Sequence, residues 1–182
     1  MYHKKNEVIF ILSGKAESGK NVIGDIIERY YGEDNCMKVS YAYYLKDYLT
    51  RMGKYKEEEK QKYRSLLQEF GIDFLAKKID SNFLINRVLE DLEVFSYFYK
   101  VIIITDARLT NEIEIPKQKF KNIITIRIQK ESENNLTDSE RQHVTEIGLD
   151  SYKSFDYVIN NNSDLLSLEN KVLDILKEHN YE

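Results

Sequence analysis

The chain has 182 residues, 27 Lys+Arg against 31 Asp+Glu and a formal net charge of −4; domains usually run ~100–200 residues, so one domain is expected. With only 7 Gly and 1 Pro, a Pro/Gly-rich disordered chain and a collagen are excluded. The net acidity argues against a nucleic-acid partner, which selects for a basic excess.

In chain order, the first pattern is Val8-Ile9-Phe10-Ile11-Leu12, a continuous apolar and β-branched run. It predicts a strand buried on both faces, as in a parallel sheet. This run is too short for a signal-peptide core or a membrane span, so no membrane contact is expected. Residues 14–19 read as a loop. Over 20–31, Val22, Ile23, Ile26, Ile27 and Tyr30 recur at helical spacing before Gly32, a helix stop. A short strand is expected at 36–39. Its Cys36 is the lone cysteine, which allows no internal disulfide and no thiolate zinc site and points to a reducing, cytoplasmic setting. A helix follows at 41–52, with Leu45, Tyr48 and Leu49 on one face.

The mixed-charge run 54–62 is read as the start of an exposed helix that becomes amphipathic through Tyr63, Leu66, Leu67 and Phe70 and ends before Gly71. A further helix is expected over 81–98. Val101-Ile102-Ile103-Ile104 is the second strong buried strand, 123–128 the third, and 157–159 a short last one. Residues 129–142 are polar with one apolar member, Leu136, and read as a mobile loop or small lid. A closing amphipathic helix carries Leu165, Leu168, Val172, Ile175 and Leu176. Strands alternating with helices predict an α/β sandwich with a mostly parallel sheet, a single domain over 1–182 with its lid at about 129–142.

Between the first strand and the first helix stands Gly14-Lys15-Ala16-Glu17-Ser18-Gly19-Lys20-Asn21. The spacing G-x-x-x-x-G-K in a strand–loop–helix context is that of a P-loop. Glycines let backbone approach a polyphosphate, successive N–H groups form an anion nest, and the helix N-terminus adds its positive dipole end. Lys20 would reach the β/γ-phosphates of a bound polyphosphate. The Ser/Thr that usually follows the lysine and holds Mg²⁺ is here Asn21, whose amide oxygen is still a permissible hard ligand.

The second carboxylate comes after Val101–Ile104, in Thr105-Asp106-Ala107-Arg108. At the carboxyl end of a central strand, where ligands collect in such sheets, Asp106 suits orienting Mg²⁺ through water or accepting a hydrogen bond from the acceptor. The alternative is a helix-capping acid. Arg108 offers a planar fork for a phosphate, or else a surface ion pair. Arg127 and Arg141 flank the polar lid together with Lys130, so lid closure would bring a cation, Arg141 foremost, onto a transferring phosphoryl group; solvated loop charges are the plainer reading. His143 and Glu146 are too few for a metal site, and Glu146 reads as a capping or hinge contact. Asn160-Asn161-Asn162 suits either a turn or an approach to adenine.

These segments together resemble the deoxynucleoside monophosphate kinase group of P-loop kinases, the phage type included. The resemblance runs through residues 14–21; Val39-Ser40-Tyr41-Ala42 with Leu45-Lys46; Arg64-Ser65-Leu66-Leu67-Gln68-Glu69-Phe70-Gly71; Ile104-Thr105-Asp106-Ala107-Arg108 with Asn111-Glu112; and His143-Val144-Thr145-Glu146-Ile147-Gly148-Leu149 with the later Asp156-Tyr157-Val158-Ile159-Asn160-Asn161. It implies a three-layer nucleoside monophosphate kinase-like fold with a lid, and ATP- and Mg²⁺-dependent phosphoryl transfer to a (deoxy)nucleoside monophosphate, a small-molecule acceptor. It also implies roles: Arg64 and Arg108 on the acceptor phosphate, Gln68 at the base, Lys46 on the acceptor side. Two departures stand out. The family usually has Asp where Asn21 stands, and the Pro common before Leu-Lys is replaced by Tyr43 and Tyr44. Phosphomevalonate kinases of the animal type look similar over the P-loop and residues 143–150, and a nucleotide-binding regulatory module is the reading that Asn21 favours. A homodimer is compatible with either.

Overall fold

The computed structural model describes residues 8–57, 62–131, 137 and 141–179. Five strands, β1 (Val8–Gly14), β2 (Cys36–Val39), β3 (Val101–Ala107), β4 (Ile123–Gln129) and β5 (Tyr157–Asn160), form one sheet in the order β2-β3-β1-β4-β5. Every pairing is parallel, so the sheet is wholly rather than mostly parallel. The central strand β1 lies between β3 and β4, and its seven residues are all buried. That is why its sequence shows an unbroken apolar run instead of alternation.

The pleat divides those residues between two cores. Val8, Phe10 and Leu12 join Val101, Ile103, Ile126 and Ile128 against α1 (Lys20–Tyr31) and α7 (Leu165–Glu178), contributing Ile23, Ile27, Leu168 and Val172. Ile9 and Ile11 join Ile102 and Ile104 on the other face, under α4 (Phe83–Phe95) with Val88 and Leu92 and α5 (Asn111–Lys119) with Ile113. Helices on both faces of a parallel sheet make the three-layer α/β sandwich that the sequence predicts.

Several elements differ from the sequence reading. After α2 (Tyr41–Arg51), Gly53 takes φ +68 and the chain turns. Residues 54–56 are not helical, because Tyr55 tucks inside with its ring 5.5 Å from that of Tyr63; residues 58–61 of the expected helix lie outside the described residues. Helix α3 begins at Arg64 and runs Arg64–Gln68, continuing with π-type bonding over Glu69–Ile79. Gly71 therefore does not stop it. A Cβ there would lie 3.2 Å from Leu45 Cδ1, so Gly71 is where this helix packs on α2. The expected helix 81–98 is trimmed to Phe83–Phe95.

The sequence reading contained no helix at α5, whose Pro116 removes an amide the helix would use. The carbonyl that this amide would have bonded belongs to Glu112, and it accepts the buried Tyr41 hydroxyl at 2.6 Å instead. The lid expected at 129–142 falls largely on residues outside those described. What is described there is the end of β4, residues 130, 131 and 137, and Arg141 and Gln142 leading into the short α6 (Val144–Ile147).

Candidate active site

The loop 14–21 leaves β1 at the carboxyl edge of the sheet and enters α1, as its spacing predicts. Its first glycine is required by close approach: a Cβ on Gly14 would sit 2.8 Å from the Ile128 carbonyl and 2.4 Å from Ser18 Oγ. Glu17 at φ +60 and Gly19 at φ +103 give the alternating backbone of an anion nest. Ser18 Oγ is buried there without a hydrogen-bond partner. Lys20 folds its ammonium onto the loop, donating to the carbonyls of Gly14 and Lys15 at 2.7 Å each. Burial first and the Arg108 charge second bring its pKa down to about 7. Asn21 is exposed in the first turn of α1.

The carboxyl end of β3 supplies the next groups. Asp106 accepts the backbone N–H groups of Tyr41 and Ala42, at 2.9 Å on its two oxygens, while Ser40 Oγ accepts that of Tyr43 at 3.0 Å. Three of the four orphan donors at the start of α2 are thereby satisfied. Of the readings the sequence leaves open for Asp106, the helix-capping acid is thus realised, and its oxygens face the N-terminus of α2. Two residues on, Arg108 is held by its backbone: the buried Glu112 accepts the N–H of Arg108 at 2.6 Å and of Leu109 at 3.0 Å. Burial pushes the Glu112 carboxyl up to about 7.

The acceptor-side residues come from distant segments and meet at one turn. Arg64 Nη2 lies 2.8 Å from Glu146 Oε1, Arg108 Nη1 donates to the same oxygen and to the Thr145 carbonyl at 3.2 Å, and Gln68 Nε2 donates to Thr145 Oγ1 at 3.2 Å. The other Glu146 oxygen accepts the P-loop amide of Ala16 at 3.2 Å. Glu146 is buried, yet its carboxyl is held below the ordinary range: burial opposes ionisation, but the Arg108 charge, the Ala16 N–H and Arg64 outweigh it. His143 caps this turn by accepting the Thr145 N–H. The sequence reading gave Glu146 only a capping or hinge contact; its pattern signal was its place two residues after that capping histidine's neighbour, in a run already shared with the family.

Other candidates lie elsewhere. Lys46 pairs with Glu57 at 3.2 Å above the Tyr55 ring. Arg141 is exposed, its backbone amide bonded to Thr137 O at 3.0 Å. Arg127 is no mobile lid cation: it is buried, bonded to Ser13 Oγ and Asp150 at 2.9 Å each, and lies over the Phe155 ring. Asp150 also pairs with Lys15 at 3.1 Å. A cavity of about 450 Å³ opens beside this chain of charges, between the ends of β4 and β5 and residues 149–155. Asn161 donates to the Ser18 carbonyl at 2.9 Å and Asn162 accepts the Glu131 N–H at 2.9 Å, so the asparagine turn braces the P-loop. Tyr44 is bonded to Asp91 at 2.8 Å, with exposed Tyr43 edge-on to it. Among the described residues no group of three or more His, Cys, Asp or Glu is arranged to hold a metal ion.

A P-loop at the edge of a five-stranded parallel sheet, faced by arginines from separate segments, defines a P-loop kinase, a phosphotransferase. The same fold is seen in dephospho-CoA kinase from Campylobacter jejuni (14% identity, 93% of this chain and 96% of that one, TM-score 0.56). It is seen too in shikimate kinase from Bacteroides thetaiotaomicron (17% identity, 93% and 96%, TM-score 0.56). A third example is an APS kinase from Mycobacterium tuberculosis in complex with AMPPNP and APS (14% identity, 95% and 99%, TM-score 0.53). No curated protein sequence matches the chain. The family model for deoxynucleotide monophosphate kinase matches residues 52–172, and the chain belongs to that family.

Proposed function

We propose that the chain transfers the γ-phosphoryl group of ATP in line to a phosphate oxygen of a (deoxy)nucleoside monophosphate, giving the diphosphate and ADP. The observation that carries this reading is the meeting of Arg64, Gln68 and Arg108 at the Thr145–Glu146 turn, which itself touches the P-loop amide of Ala16. Two guanidinium forks beside a P-loop suit an acceptor that is itself a phosphate. The oxygen–phosphorus bond to the acceptor forms as the bond to the bridging oxygen of ADP breaks, and ADP leaves with that electron pair. A phosphomonoester has its second pKa at ~6, so its oxygen attacks without a strong base, and the protein positions and neutralises charge.

In this reading Lys20 and the amides of residues 15–21 hold the ATP phosphates. The buried, unpartnered Ser18 Oγ fits that role. Arg64 and Arg108 hold the acceptor phosphate, Gln68 faces the base, Lys46 stands on the acceptor side, and Arg141 enters with the lid. Mg²⁺ keeps most of its waters and takes substrate phosphates, so it needs one or two protein oxygens. Asn21 would supply one, and Asp106, its oxygens already bonded to α2, would act through water. Bound there, the metal would neutralise charge on the β- and γ-oxygens. We place the protein in the cytoplasm; among the described residues no helix is long and apolar enough to cross a membrane.

The test is an ADP-release assay over deoxynucleoside and ribonucleoside monophosphates and mevalonate 5-phosphate. Turnover stimulated by a nucleoside monophosphate is expected. Stimulation by mevalonate 5-phosphate alone would replace the acceptor, and ATP binding with no stimulated turnover would make the chain a regulatory nucleotide-binding module.

A further inference from the structure

Glu146 is the group through which the donor loop and the acceptor arginines touch. Its side chain is 2% exposed, whereas those of Arg64 and Arg108 are 27% and 26% exposed. One of its oxygens takes both guanidinium groups and the other takes the Ala16 N–H of the P-loop. The turn that carries it is pressed onto the β3–α5 loop. A side chain at Gly148 would come within 2.9 Å of the Arg108 carbonyl, so only glycine lets the turn sit this close.

Positive charge is concentrated here. The Lys20 ammonium feels Arg108 and Arg127 as well as the opposing charges of Glu146 and Asp106, and Arg127 feels Arg108 and Glu146. Like charges this close repel, and long guanidinium side chains left to themselves would splay toward solvent. A buried carboxylate between them opposes both tendencies. It engages only Nη2 of Arg64 and Nη1 of Arg108, and each guanidinium has five N–H donors. Donors therefore remain on both for a phosphate, among them the buried and unpartnered Nε of Arg64.

We infer that Glu146 is a positioning residue that fixes Arg64 and Arg108 in register with the P-loop, so that the acceptor phosphate is gripped where the donor can reach it. This rests on the function proposed above. It gives the 143–149 turn a place in the reaction although Glu146 itself transfers nothing.

The experiment is steady-state kinetics of Glu146→Gln with the nucleoside monophosphate that best stimulates the wild type, alongside acceptor-independent ATP hydrolysis. Glutamine keeps an oxygen for the Ala16 N–H but removes the charge that holds the arginines. The KM for the acceptor should rise tenfold or more, while the KM for ATP and the acceptor-independent hydrolysis stay within twofold. An unchanged acceptor KM overturns the inference. So does a lowered one, which would make Glu146 a competitor of the phosphate, and so does a parallel loss of both activities, the mark of a merely structural role. If Glu146→Gln does not fold, Glu146→Asp is measured instead; one methylene shorter, its carboxylate cannot bridge Ala16 and both arginines at once, so the KM for the acceptor should again rise, and an unchanged one overturns the inference. A wild type inert with every nucleoside monophosphate overturns the proposed function and this inference with it. An active wild type with an unaffected variant overturns this inference alone.

Discussion

The donor loop and the acceptor cluster are built in opposite ways. The donor loop is eight contiguous residues, 14–21, between one strand and one helix, and local geometry determines nearly everything about it. The acceptor cluster draws Arg64 and Gln68 from α3, Arg108 from the end of β3 and Glu146 from α6, with Glu146 82 positions after Arg64. It exists only once the sheet has formed. The first site is fixed by backbone, the second by side chains that neutralise one another, and the two should fail differently when disturbed.

The largest expected effect is on the donor side. Lys20→Ala should lower kcat by about 10²–10³-fold or more, the scale for losing one preorganised charge on the reacting group. The melting temperature should hold, because burial disfavours the Lys20 ammonium in the folded protein. Near-wild-type turnover would break the donor assignment. Next comes Arg108→Ala. It should lower kcat/KM for the acceptor about a hundredfold, the scale of a lost charge-assisted fork, with the KM for ATP little changed. Equal losses for both substrates would erase the distinction between the two regions.

Proton linkage sharpens the same contrast. Glu112, which shapes the Arg108 loop, has its carboxyl raised by burial from the ordinary 4.5 to about 7. Between those pH values the folded protein keeps a proton that the unfolded chain has released. The stability this group contributes is therefore fully present below about pH 4.5 and is lost as pH rises through 7, about 3 kcal/mol in all. Denaturant titrations should show that slope flattened in Glu112→Gln. On the donor side Lys20, held near 7, is largely neutral at pH 8.5. A polyphosphate bound against it restores the ammonium, so ADP binding at that pH should take up close to one proton. Calorimetry in two buffers of different ionisation enthalpy reads the uptake, which Lys20→Met should abolish.

Much of this was legible in the sequence, for reasons that differ by element. The strands β1 and β3 announce themselves because burial on both faces forces unbroken Val, Ile, Leu and Phe. The P-loop does so because phosphate chemistry demands glycines and a lysine at fixed spacing. Helix α5 was hidden because Pro116 argues against a helix, and its loss of an amide is made good only by Tyr41, 71 residues from the carbonyl it bonds. The end of α3 was misread because Gly71 looks like punctuation until Leu45 is seen against it. Glu146 was undervalued because a lone carboxylate has no local signature; its importance lies in the partners that the fold delivers to it. Asp106 was placed correctly at the strand end, but nothing near it in sequence shows that α2 begins against its oxygens.

The bond from Asn161 to the Ser18 carbonyl has a mechanical consequence. It hangs the nucleotide cradle from β5, an outermost strand zipped to a single neighbour, and such margins fray at temperatures the interior tolerates. Warming should therefore slacken the hold on ATP while the bulk of the sheet is still intact, so that activity fades before the protein melts.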